Sequence, residues 1–161
     1  MNDEGANDAE NDGPRLGEIG LQQFAPYLMN RIMGCYNTSL HEDLVRLGLT
    51  TPKMRALAIL SVIDGLVINR LAVYAIAEQS TLSRALDSLE SKGLVRRVQD
   101  PQDSRASRVW ITDKGRAVFD RIWPTIRRAS ERMFSGIDAA EHAAFITTLQ
   151  KILINVRKED F

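Results

Sequence analysis

Residues 79–116 read QSTLSRALDSLESKGLVRRVQDPQDSRASRVWITDKGR. Leu82, Ala85, Leu86 and Leu89 fall at i, i+3, i+4 and i+7, the spacing of one buried helical face. The opposite face carries Ser80, Thr81, Ser83, Arg84, Asp87 and Ser88, short hydrogen-bonding side chains beside a single arginine. Gly93 stands where this helix must end, as a glycine in the left-handed conformation does. Two β-type runs follow, 94–99 and 106–112. Between them lies Asp100-Pro101-Gln102-Asp103-Ser104-Arg105, rich in turn formers.

A small polar-faced helix followed by a basic hairpin is the arrangement with which a winged helix-turn-helix reads DNA. The helix enters the major groove and the wing reaches the backbone or minor groove beside it. The flanking sequence suits this. Phe24, Tyr27, Leu28, Ile32, Met33, Leu40, Leu44 and Leu47 recur at helical spacing, which predicts one long helix over 19–47 with Pro26 in its first turns and Gly48 stopping it. Thr51 before Pro52 reads as an N-cap for a second helix over 53–63, with Met54, Leu57, Ala58 and Leu60 buried. Residues 66–68 add a short strand, and Asn69 caps a positioning helix over 70–76, with 77–79 as the turn. Beyond the wing, Thr112 caps a long helix through Phe134, in which Pro124 predicts a kink. Asp138, with Glu141 three residues on, starts a last helix carrying Ala144, Phe145, Leu149, Ile152, Leu153 and Val156.

The chain is therefore expected to be mainly α with a small β-wing. A winged helix-turn-helix DNA-binding lobe (about 51–112) sits beside a helical dimerisation lobe (about 19–47 and 113–158). Residues 18–161 form one domain and residues 1–17 a disordered acidic tail. The terminal helices are apolar beyond what a small DNA-reading unit can bury, which predicts a homodimer built from the first helix and the last two.

Composition narrows the class. The chain has 161 residues, 44% hydrophobic and 26% charged, enough for one domain with a core. Net charge is zero, but unevenly spread: residues 1–18 hold six acidic groups against one basic, and residues 84–132 hold twelve basic against seven acidic. A basic helix-plus-hairpin with a separate acidic end suits phosphate contact. No apolar run approaches a membrane span, so no membrane partner is expected and the location reads as cytoplasmic. The single Cys and two His are not spaced as a metal site, no cofactor-binding pattern is present, and no catalytic dyad or phosphate loop is visible. An enzyme is not expected.

In order and spacing, Leu71-Ala72, Ser80-Thr81-x-Ser83-Arg84, Leu89, Gly93-Leu94-Val95-x-Arg97, Asp100-Pro101-x-Asp103-x-Arg105 and Ile111-Thr112-x-x-Gly115-Arg116 resemble the multiple-antibiotic-resistance regulator (MarR) family. The resemblance covers nearly everything after Glu18. It departs at Ala75, where Gly is common, at Arg108, where an apolar strand residue is usual, and at Trp110, where a small or polar residue is expected. It implies a dimeric repressor of an inverted-repeat operator on double-stranded DNA, released by a small effector.

Ser80, Thr81, Ser83, Arg84 and Ser88 are the candidate groove contacts. Arg84 has the reach to fork onto guanine, and Ser80 is as well placed to cap its helix. Arg105 is the candidate minor-groove residue, with Asp103 pinning the turn. Arg96, Arg97 and Arg108 are weaker candidates, Arg97 reading equally as an ion-pair partner in the strand pair. For the effector, Phe24, Tyr27, Asn30, Arg31, Met54 and Arg55 place arginine beside aromatic rings, which suits an aromatic carboxylate or phenol. Cys35 offers a redox alternative. It lies only fourteen residues before Leu49, where the family's redox-sensing branch has its Cys more than twenty before, and Cys35 reads as a buried small hydrophobe. A winged helix that binds protein is the remaining alternative.

Overall fold

The computed structural model describes residues 13–157. Its elements are α1 (Leu16–Ile19), a 3-10 turn (Leu21–Gln23), α2 (Ala25–Arg46), α3 (Thr51–Val62), β1 (Leu66–Val67), α4 (Ile68–Tyr74), α5 (Gln79–Ser91), β2 (Val95–Gln99), β3 (Ser107–Ile111), α6 (Asp113–Met133) and α7 (Ala139–Val156). The mainly helical architecture with a small wing is the one expected. Most of the acidic tail lies outside the described residues, and a helical turn at Leu16–Ile19 runs across the boundary expected at residue 17. The single helix expected over 19–47 is broken. Gly20, at φ +77°, ends the first turn, and α2 starts only at Ala25, with Pro26 in its first turn where a missing N–H costs nothing.

The core joins the two ends of the chain through the middle. Leu40 and Leu44 of α2, Leu57 and Leu60 of α3, Leu71 of α4, Leu82, Leu86 and Leu89 of α5, Val109 of β3 and Ile122 of α6 are buried together. The strands form an antiparallel sheet in the order β1-β3-β2, with Val95 opposite Ile111, Gln99 opposite Ser107 and Leu66 opposite Val109. At Gly115 a Cβ would collide with the Leu94 carbonyl, so only glycine lets α6 leave the wing this closely.

Several caps differ from the sequence reading. Thr50, not Thr51, precedes α3, and its side chain makes no cap bond. The positioning helix starts at Ile68 after Val67, and Asn69 Oδ1, rather than capping it, accepts from Gln79 Nε2 at 2.9 Å. Ser80 does not cap α5 either: the N-cap is Glu78. Thr112 and Asp138 do cap, Thr112 Oγ1 accepting from Gly115 and Asp138 Oδ1 from Ala140 and Glu141. Pro124 is carried inside a continuous α6.

The last helix is the least satisfied element. α7 buries none of its residues, and Phe145, Ile146, Leu153, Ile154 and Val156 are exposed. Its base is held at Phe134, whose ring meets His142 edge-on at 4.3 Å. Leu28, Ile32 and Met33 of α2 are likewise exposed. Cys35, expected to be buried, is exposed on this uncovered side of α2, in a groove bounded by Arg31, Ser39 and Arg132.

Candidate nucleic-acid interface

α5 is held from below by its leucine face and from the side by the wing. Leu82, Ala85, Leu86 and Leu89 are buried, as their spacing requires, which turns Ser80, Thr81 and Arg84 outward. Ser83 and Ser88 are half-buried at the edges of that face. Arg97 on β2 fixes the helix against the hairpin. Its Nη2 donates to Asp87 Oδ1 at 2.8 Å and to the Ser83 carbonyl at 3.3 Å, and its backbone N–H donates to Glu90 Oε1 at 2.9 Å. Arg97 is thus an ion-pair residue, with its partners on α5 rather than within the strand pair.

The turn before α5 is set by an unusual backbone. Ile76 has φ +50° and is 78% exposed, a left-handed conformation that β-branched residues avoid. Arg55 Nη1 donates to the carbonyls of Ala75 and Ile76, both at 3.3 Å, and so ties this turn to α3.

The wing tip is bonded to itself and to one side chain below it. Asp100 is only 6% exposed. Its Oδ1 accepts from the Gln102 amide at 2.8 Å and the Asp103 amide at 3.3 Å, and its Oδ2 from Arg108 Nε at 2.6 Å. The Gln102 amide does most to hold the Asp100 carboxyl below its ordinary value, and Arg108 adds to this against the opposing effect of burial. Asp103 Oδ1 accepts from the Arg105 amide at 2.9 Å, pinning the turn and leaving the Arg105 side chain exposed. Arg105, Gln102 and Ser107 face Asn69, Gln79 and Ser83 across a groove of about 620 Å³ between wing and recognition helix. Among the described residues neither Arg84 nor Arg105 is in an ion pair.

The six residues expected to hold an effector are brought together only in part. Tyr27, Asn30 and Arg31 share a shallow groove along α2 with Cys35, and Phe24 caps that helix. Met54 is in the core at 6% exposure, and Arg55 is committed to the turn before α5. A larger cleft, about 680 Å³, opens instead between α3 and α6, lined by Ile59, Val62, Tyr74, Arg116, Phe119 and Trp123. Arg116 Nη2 donates to Asp64 Oδ2 at 2.9 Å and its Nη1 to the Ser61 carbonyl at 3.2 Å. Arg116 had a sequence signal, the Gly115-Arg116 pair after the wing, but one that pointed to a family rather than to a cleft.

This geometry has close counterparts. A MarR-family regulator from Silicibacter pomeroyi of known crystal structure is 56% identical, with a TM-score of 0.88, over 92% of this chain and all of that one. The MarR family model also matches residues 49–107. The chain belongs to the MarR family. The HTH-type transcriptional repressor IacR of Pseudomonas putida is 27% identical over 89% of this chain and 86% of its own length. CouR of Rhodococcus jostii RHA1, solved with p-coumaroyl-CoA bound, has a TM-score of 0.73 at 24% identity, covering 87% of this chain and 99% of that one. At that identity CouR shares the fold alone. Like its MarR relatives, the chain is a transcriptional regulator of the DNA-binding winged-helix type. Its departures from the MarR pattern have structural work. Buried Ala75 presents its carbonyl to Arg55, Arg108 holds Asp100, and Trp110 packs over Gly65 with the Arg96 guanidinium 5.3 Å from its ring.

Proposed function

We propose that the protein represses transcription by binding an inverted-repeat operator as a homodimer, and that a small aromatic or phenolic acid releases it. The observation that carries the DNA part is the outward face of α5 beside an exposed wing arginine. Arg84, Ser80 and Thr81 enter the major groove, Ser83 and Ser88 support its edge contacts, and Arg105 reaches the adjacent minor groove. The exposed α7 and α2 side chains supply the dimer surface, since apolar area of this extent is covered in stable oligomers. Two copies related by a two-fold axis present two recognition helices about one DNA turn apart, roughly 10 bp.

The effector binds in the cleft between α3 and α6 rather than among the six residues named from the sequence. Trp123, Phe119 and Tyr74 offer rings for stacking, and Arg116 offers a cation that a carboxylate can share with or take from Asp64. Release requires that the effector bind the free form more tightly than the DNA-bound form. Because Cys35 is exposed, a peroxide arm belongs in the test. The experiment is binding to DNA upstream of the protein's own gene, for wild type and for Arg84→Ala with Arg105→Ala, followed by titration with hydroxybenzoates and hydroxycinnamates. Loss of DNA binding with the dimer intact is expected. Unchanged binding by the double variant removes the assignment of these arginines, and release by peroxide alone moves sensing to Cys35.

A further inference from the structure

The two wing-strand residues that depart from the MarR pattern converge on one glycine. Arg108 Nη1 donates to the Gly65 carbonyl at 3.0 Å, and the Trp110 ring lies so close to Gly65 that a Cβ there would stand 2.6 Å from Cζ2. Gly65 itself is fixed. Its φ is +71°, its amide donates to Asp64 Oδ1 at 3.1 Å, and the same oxygen accepts from Ile111 at 2.8 Å. Arg108 is paired through its backbone to Val67 and Val98 in the middle of the sheet. Its side chain spans from that fixed base to Asp100, where the turn of the wing begins. Beyond Gln99 and Ser107 the tip bonds within itself: Asp100 N–H to the Ala106 carbonyl, Ala106 N–H to the Asp103 carbonyl, and Gln99 Nε2 to the Ser104 carbonyl.

We propose that Arg108 is a positioning residue for DNA reading: it latches the wing turn, through Asp100, to the Gly65 loop, and so sets where Arg105 stands relative to α5. This rests on the reading of Arg105 as a DNA contact. Asp100 and Gly65 take the Nε and Nη1 of Arg108, which turns its guanidinium toward the body of the wing. Its effect on DNA passes through the pose of its neighbour. A two-stranded tip held only by its own bonds swings about the end of the sheet. Holding its first carboxylate at two points, by the turn amides and by a guanidinium bonded to the body, removes that freedom before DNA arrives.

The test is a double-mutant cycle on the full-length protein with Arg105→Ala, Arg108→Ala and their combination, read by binding to the upstream DNA. Hydrogen exchange of the Gln102, Asp103 and Ala106 amides in the free protein is measured alongside. Arg108→Ala should weaken binding by roughly tenfold, within the range for residues coupled in one network, and Arg105→Ala added to it should cost little more. Exchange at Gln102 and Asp103 should quicken in Arg108→Ala while Val95 and Ile111 stay protected. Asp100→Asn should do the same, and Arg108→Lys should not restore binding, since one ammonium cannot reproduce the two-sided fork. Additive losses in the cycle overturn the latch, because Arg108 then acts on DNA directly or through stability. Unchanged exchange at Gln102 overturns it too. If Arg105→Ala leaves DNA binding intact, the reading of the wing as a DNA contact fails, and exchange alone decides the latch.

Discussion

Ile76 is the one non-glycine residue with a positive φ among the described residues. A β-branched side chain at φ +50° is strained by roughly 1–2 kcal/mol relative to its usual conformations. Its side chain is exposed, so little packing offsets that. Ile76→Gly is expected to leave stability unchanged or raise it by up to about 1 kcal/mol, the relief outweighing the entropy glycine adds to the unfolded chain. Urea denaturation checks this, and a clear loss means that Ile76 packs against something the single chain does not show. Asp100 gives the wing an acid dependence. Its carboxyl is held below the ordinary aspartate value in the folded chain. Its contribution is therefore complete above the unfolded value, near 4, and is lost as pH falls through the lowered folded value. The wing should stay ordered at pH 5 and loosen only in stronger acid, with Asp100→Asn abolishing that dependence. Amide exchange at Gln102 across the acid range measures it. The sequence made the Asp-Pro-x-Asp turn visible, but not that Arg108, eight residues on, would be its anchor. The contact runs through Gly65, 43 residues away, and no local pattern encodes that pairing.

Among the elements, α5 and the hairpin were legible because their period, glycine stop and turn residues agree with one another. Where local signals compete with tertiary contacts, the contacts decide the element. Asn69 looks like a cap, yet its side chain meets Gln79 across the turn, and α4 begins two residues earlier than expected. Pro26 is tolerated in a first turn, so it did not reveal that Gly20 had already ended the segment before it. The loop between α3 and β1 yields an element-level prediction. Gly65→Ala places a Cβ against Trp110 in a left-handed conformation and should destabilise the protein by about 2 kcal/mol or more, followed by thermal unfolding. Gly65→Ala with Trp110→Ala should recover part of that loss. α7 supplies another: Leu153, 61% exposed, and Ile154 should tolerate Glu in an isolated chain but not in a dimer seam. Light scattering of Leu153→Glu with Ile154→Glu should show monomer. A surviving dimer relocates the interface to α2.

At the scale of the whole molecule, the candidate effector site was the least legible part. Phe24, Tyr27, Arg31, Met54 and Arg55 have the chemistry of an aromatic-acid pocket, but the fold spends Met54 on the core and Arg55 on a turn. Which face a helical residue presents depends on the packing of all its neighbours, and Arg116 lies in the cleft because α6 leaves the wing at a glycine. Arg116 is also bonded to Asp64, which receives the amides of Gly65 and Ile111, so the cleft touches the loop to which Arg108 is anchored. Arg116→Gln is accordingly expected to abolish release by aromatic acids while DNA binding without effector falls by less than roughly tenfold, as the pair is half-exposed. Competition titrations of the variant and the wild type check this.

The claim on which the others depend is that α5 and the wing of a dimer read a specific DNA sequence. It is tested most directly by binding of the full-length protein to the DNA upstream of its own gene across a salt series, against an unrelated fragment of equal length. A specific reader should prefer the upstream fragment by about a thousandfold or more at physiological salt, with affinity falling steeply as salt rises. It should bind in units of two chains, and Arg84→Ala should erode the preference by about 1–3 kcal/mol. Equal and weak binding to both fragments, unaltered by Arg84→Ala, would contradict the account.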